Sequence, residues 1–208
     1  MNKLISKILL TLVVASMFIL LAIPSKVAFA QTPTSAPETT APSVTTAKAQ
    51  ISGSGITGTL NLKQVREGYV LVDATLKGDP KILTAGLHGF HIHETGSCQE
   101  SGETAFSSAK GHFDPGPFSS STPVEKNHPY HMGDLQNIEV DESGLGKIKT
   151  VTSRFTLSES PLSVFDNDGS AIIVHKLKDQ IKAGGTAAEA GGARLACGVI
   201  VPQSQSGG

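Results

Sequence analysis

Residues 56–62 (ITGTLNL) alternate apolar and polar positions, the period of a strand with one buried face. Residues 69–76 repeat the pattern more loosely after a Glu67-Gly68 turn, and 87–93 form a third extended run. Segments 136–140 and 147–157 flank the turn Asp141-Glu142-Ser143-Gly144 and predict a hairpin. Residues 171–175 (AIIVH) are short, apolar and β-branched, and follow the turn Asp166-Asn167-Asp168-Gly169. Residues 195–201 (LACGVIV) close the series. Short strands punctuated by Gly, Asp and Asn turns predict an antiparallel sandwich or barrel. The best helical stretch is 177–183, and its pattern is weak. Segments 94–131 and 176–193 are too long and polar for hairpin loops, and such loops in a small domain usually carry function.

The ends of the chain have a different pattern. Lys3 and Lys7 precede sixteen uncharged residues, 8–23, and Ala28-Phe29-Ala30 follows with small residues where a signal peptidase reads. We expect residues 1–30 to be a secretory signal cleaved after Ala30, leaving no stable membrane insertion. Residues 31–50 are Thr, Pro, Ala and Ser with almost no large apolar side chain, and predict a disordered linker. The folded domain is expected over 51–202, with a flexible tail at 203–208. About 150 residues suffice for one core. A charged fraction of 17% and a net charge of -1 exclude a polyacidic tail or a basic nucleic-acid wrapper. Aromatic residues are 5% with no Trp, which argues against a base-stacking platform. Without Lys3, Lys7 and Lys26, 14 basic residues face 18 acidic ones, so the mature chain carries -4. Cys98 and Cys197 are the only cysteines, and in an oxidising compartment they are best read as one disulfide. Periplasm, extracellular space and a lumen all fit this reading.

The seven histidines all lie between residues 88 and 175. His91 and His93 sit two apart, so on a strand both point to one face and Ile92 points to the other, towards the core. His175 ends another apolar strand. His128, His131 and Asp134 lie within seven residues, three ligands for a tetrahedral ion, and His112 is the natural fourth. His88 is offset from His91 and is assigned to hydrogen bonding in the core. Imidazole suits copper and zinc alike, and the first group has no nearby Met or Cys as a blue-copper site would.

Five segments together resemble the copper,zinc superoxide dismutase family. They are 86–94 (GLHGFHIHE), 111–115 (GHFDP), 131–135 (HMGDL), 169–175 (GSAIIVH) and 192–200 (GARLACGVI). The resemblance covers about residues 53–201. It implies an all-β fold, an eight-stranded antiparallel Greek-key β-barrel with two long functional loops. It implies copper on His91, His93, His112 and His175, and zinc on His112, His128, His131 and Asp134, with His112 shared between the two. Asp179 matches a carboxylate linking a copper histidine to a zinc histidine; the alternative is a solvated loop charge. Arg194 matches an arginine at the mouth of the copper channel. Cys98 and Cys197 match a disulfide that pins the first long loop to the last strand. One departure stands out: His128 lies only three residues before His131, whereas many members place that histidine well upstream. The alternative for His128 is an exposed loop histidine.

The implied reaction converts two superoxide anions and two protons into dioxygen and hydrogen peroxide. His112 and Arg194 are the implied catalytic residues, the first as ligand and acid/base group and the second as anion holder. Lys176, Lys178 and Lys182 could add positive potential, although a solvated face is the plainer reading. A copper-carrying module without turnover is the rival reading, but this chain keeps both the shared histidine and the arginine. The sequence does not decide the oligomeric state, a homodimer included.

Overall fold

In the computed structural model of the chain, residues 45–100, 104–115 and 128–203 are described. The expected signal, most of the linker, and the tail after Gln203 lie outside the described residues. Ten strand segments follow in order: β1 (Thr46–Gly53), β2 (Ile56–Arg66), β3 (Tyr69–Gly78), β4 (Gly86–His88), β5 (Phe90–His93), β6 (Ile138–Val140), β7 (Leu145–Thr152), β8 (Ala171–His175), β9 (Arg194–Val199) and β10 (Val201–Pro202). A 3-10 turn, Ser107–Ala109, lies in the first long loop. Among the described residues no helix is long and apolar enough to cross a membrane.

All pairings between named strands are antiparallel, in the order β4-β6-β7-β3-β2-β1-β9-β8-β5, with β10 beside β1. The two ends of this order, β4 and β5, are consecutive pieces of one run, broken only at Gly89. The sheet thus returns to its own start, and the fold is a nearly closed Greek-key barrel. Joining β4 to β5 across Gly89 and β9 to β10 across Ile200 gives the eight strands expected of it. Its interior holds Leu60, Leu62, Leu76, Phe90, Ile92, Ile138, Phe155 and Ile172, all fully buried. β8 is buried on both faces. Ile172 and Val174 point into the barrel, while Ala171 and Ile173 pack outside against Ala109 and Cys197.

Three expectations differ from the structure. The first strand begins at Thr46, so residues 46–50 belong to the sheet and not to a linker. Ala47, Ala49 and Ile51 alternate inward there, and Ala49 pairs with Leu60. Small alanines fill the barrel positions, which made the stretch read as low-complexity. The strand expected over 147–157 ends at Thr152, whose hydroxyl accepts the Arg154 N–H and turns the chain. Phe155 and Leu157 still enter the core, which explains why the apolar pattern ran on. Residues 177–183 form no helix. Asp179 bridges Ala190 across the second long loop, and Gln180 N–H donates to the Glu189 carbonyl.

Candidate metal centre

β5 is the platform for the site. Its two-residue period puts His91 and His93 on one face and Ile92 in the barrel interior. β8 lies antiparallel beside it, with Phe90 paired to Val174, and brings His175 from its last position. The first long loop covers the other side of β5. Phe113 N–H donates to the Ile92 carbonyl at 2.9 Å, and Ile92 N–H donates to the Gly133 carbonyl at 2.9 Å. These bonds set His93 opposite His112 and His91 opposite Asp134. Gly133 has to be glycine, since a Cβ there would lie 2.1 Å from the Ile92 carbonyl oxygen. Gly133→Ala should push the loop off β5 and lower both metal content and thermal midpoint; normal metal content in that variant would contradict this packing.

Two quartets of buried donors result. His91, His93, His112 and His175 form one, and His112, His128, His131 and Asp134 the other. All the ligand candidates inferred from the sequence are therefore brought together, and His112 belongs to both groups. His128 is buried and not a solvent-exposed loop histidine. His88 stays apart, its ring held between the carbonyls of Thr84 and His175.

The outward nitrogens show what the inward ones are for. His93 Nδ1 donates to the Lys110 carbonyl at 2.9 Å and His175 Nδ1 to the Gly192 carbonyl at 3.0 Å. Their Nε2 atoms then carry lone pairs, yet they face each other at 3.4 Å. His91 Nε2 donates to Asp179 Oδ2 at 3.0 Å, and its buried Nδ1 has no partner. Three lone-pair nitrogens facing one buried point fit a cation that accepts imidazole. On the other side three Nδ1 atoms converge on one carboxylate. His112 lies 2.6 Å from Asp134 Oδ1, while His131 and His128 lie 2.9 and 3.3 Å from Oδ2. Three imidazoles and one carboxylate are the donor set of a closed tetrahedral zinc site.

Asp179 joins the two quartets from outside. Its Oδ2 accepts from His91 and its Oδ1 accepts from His128 Nε2 at 2.8 Å. It is buried, not a solvated loop charge. Asn137 pairs twice with its backbone, donating from Nδ2 to the Asp179 carbonyl and accepting the Asp179 N–H. Sequence reasoning missed Asn137, because an amide just before a strand carries no signal of its partner. It also missed the Lys110 carbonyl, a main-chain group that no side-chain pattern reports.

Electrostatics separate the two halves. Burial and the charge of neighbouring histidines hold His93 and His175 well below the usual imidazole range, and Arg194 adds to this. Burial and His91 lower His112 to about 4 despite Asp134. These rings are neutral near pH 7, so His93 and His175 are ready to ligate without losing a proton, whereas His112 would have to give up its N–H proton to serve two ions. Burial opposes charge on His128 too, but the Asp134 and Asp179 carboxylates outweigh it and raise its pKa to about 9. Burial raises Asp134 and Asp179 as well, yet their hydrogen bonds from histidines win and hold both well below the usual carboxylate range. The metal-free protein therefore keeps a proton on His128 at neutral pH, and a metal must expel it. Zinc affinity should fall about tenfold for each pH unit below about 9. Competition titration of zinc into metal-free protein across pH 6–9 checks this; a pH-independent affinity would contradict it.

Arg194 opens β9. Its guanidinium donates to the carbonyls of Phe106, at 2.7 Å, and Lys110. The Lys110 carbonyl thus fixes both this charge and the His93 ring. Cys98 and Cys197 are disulfide-bonded, 99 residues apart in sequence, so the first long loop is tied to β9 three residues from Arg194. Of the three loop lysines, Lys182 is engaged with Glu189 at 2.7 Å, while Lys176 and Lys178 are exposed.

A nearly closed Greek-key barrel presenting two adjacent donor quartets that share one imidazole defines a dinuclear metalloprotein. The family model of copper/zinc superoxide dismutase (SODC) matches residues 56–200. The chain belongs to that family. It is an oxidoreductase acting on superoxide, with copper and zinc as its cofactors. Among solved structures, that of the clock protein EA4 is similar at 27% identity and a TM-score of 0.58. The match covers 77% of this chain and 96% of EA4.

Proposed function

We propose that His91, His93, His112 and His175 hold the copper, and that His112, His128, His131 and Asp134 hold the zinc. The facing, unpaired imidazole nitrogens support this division most directly. Copper, when bound, supplies the one-electron couple that oxidises one superoxide and reduces the next, while zinc is redox-silent. The chain supplies the rest. His112 holds the two sites at a fixed separation, and its Nε2 is the atom placed to carry a proton to the forming peroxide. The second nitrogen, Nδ1, stays beside Asp134, which keeps the ring oriented while Nε2 exchanges its proton. Arg194 offers a fixed positive charge and N–H donors to a small anion beside His93. Asp179 positions His91 and His128 together, and Asn137 in turn holds Asp179.

The reading also includes export. A charged start, an uncharged run of sixteen residues and a small-residue site before Gln31 support a cleaved signal, and the disulfide suits an oxidising compartment. The enzyme would then act on superoxide outside the cytoplasm.

The experiment is metal analysis with a superoxide-consumption assay on oxidised protein and on His128→Ala. The parent should hold one copper and one zinc per chain and consume superoxide. The variant should lose most of its zinc; a full complement of zinc there would remove His128 from the site.

A further inference from the structure

Arg154 lies outside both donor quartets, two residues past the end of β7. Its neighbours in sequence fix its place. Its own N–H donates to Thr152 Oγ1 at 3.2 Å, and the next side chain, Phe155, is fully buried in the core. The half-buried side chain reaches across to the first long loop, where Nη1 donates to the His131 carbonyl at 2.8 Å. That carbonyl also accepts the Asp134 N–H at 3.1 Å, and Asp134 Oδ2 accepts the His131 N–H at 3.1 Å. His131 to Asp134 is thus one tight turn that carries two donors of the second quartet. Gly133 holds this turn to β5 and to the stretch carrying His112, its carbonyl accepting from Ile92 and its N–H donating to the Phe113 carbonyl at 2.8 Å. Arg154 holds the first residue of the turn from a different element, 23 residues along the chain.

We propose that Arg154 is a positioning residue for zinc, a clamp that sets the His131–Asp134 turn from the end of β7. This rests on the reading that His131 and Asp134 hold the zinc. A charged donor binds a carbonyl more strongly than a neutral one, so the guanidinium suits a clamp. Charge alone gives the opposite expectation, because a guanidinium repels a cation bound nearby and its removal would tighten zinc. Position outweighs charge here. Zinc needs its donors in a near-tetrahedral set, and partners that orient metal ligands are worth roughly 10–100-fold in affinity. An open cavity of about 310 Å³, lined by Asp134, Arg154 and Asp179 among others, adjoins the turn. Water entering it can replace the lost donor on the His131 carbonyl, so a variant gives up position without leaving a buried orphan. The expected effect therefore falls at the low end, about tenfold.

The test is removal of zinc from copper- and zinc-loaded protein by a competing chelator at fixed pH, for the parent, Arg154→Ala and Arg154→Lys. Arg154→Ala should bind zinc about tenfold more weakly with its copper content unchanged. Arg154→Lys keeps one charged donor and should recover part of the loss. Cobalt(II) in the zinc site gives a second readout, because its visible absorption bands report ligand geometry. They should shift in Arg154→Ala and return towards the parent in Arg154→Lys. Arg154→Leu, which keeps an apolar stem and no donor, is the substitute if Arg154→Ala fails to fold. Unchanged or tighter zinc in Arg154→Ala, or an equal loss of zinc and copper, would overturn the clamp. His131→Ala separates this outcome from failure of the underlying reading. Zinc retained there would dismiss the zinc assignment, whereas zinc lost there and kept in Arg154→Ala would dismiss the clamp alone.

Discussion

Replacing His93 with alanine is expected to cut superoxide turnover by more than about a hundredfold while leaving zinc bound. Loss of an outer partner to a metal ligand already costs 10–100-fold, and His93 is placed as a ligand itself. Its Nε2 faces His175 Nε2 at 3.4 Å, and its Nδ1 is held by the Lys110 carbonyl. No atom of it enters the zinc quartet. The variant therefore separates the two halves. Copper content and turnover should collapse together, and zinc should remain near one per chain. Retained turnover would take His93 out of the copper site, and lost zinc would mean that the two quartets do not assemble independently.

Arg194→Ala is expected to slow turnover about tenfold to a hundredfold and to flatten its dependence on ionic strength. The guanidinium is partly buried and pinned by two carbonyls, so its charge is presented at one fixed place. Residues 31–208 carry a net charge of -4 with Arg194 counted, and Lys182 is paired with Glu189. Little other fixed positive charge adjoins the copper quartet among the described residues. Arg194→Lys should recover part of the salt dependence but less of the rate, because an ammonium cannot reproduce the fork of donors. An unchanged rate and salt slope in Arg194→Ala would remove its role.

How much of this was legible in the sequence depended on whether the signal was local. The H-x-H pair was readable because a strand imposes a period of two, and β5 does place both rings on one face with Ile92 in the core. His175 was readable because it ends an apolar run. The first strand was not, since its inward positions include Ala47 and Ala49, whose size suits the barrel but weakens the alternation. The overrun past Thr152 has the opposite cause: Phe155 and Leu157 are core residues without a ladder. The convergence of His128 with His131 and Asp134 depends on the loop's path, which spacing does not determine. Gly133 illustrates the same limit, since only the contact with the Ile92 carbonyl shows why no side chain is tolerated. Asn137 and the Lys110 carbonyl act through partners 42 and 84 residues away, beyond any sequence period.

The central claim is that His112 is shared by two metal ions. Electron paramagnetic resonance of protein carrying copper(II) in one site and cobalt(II) in the zinc site tests it directly, because a shared deprotonated imidazole couples the two spins. The account predicts that the copper signal fades in proportion to the cobalt bound. An undiminished copper signal at one cobalt per chain would contradict it.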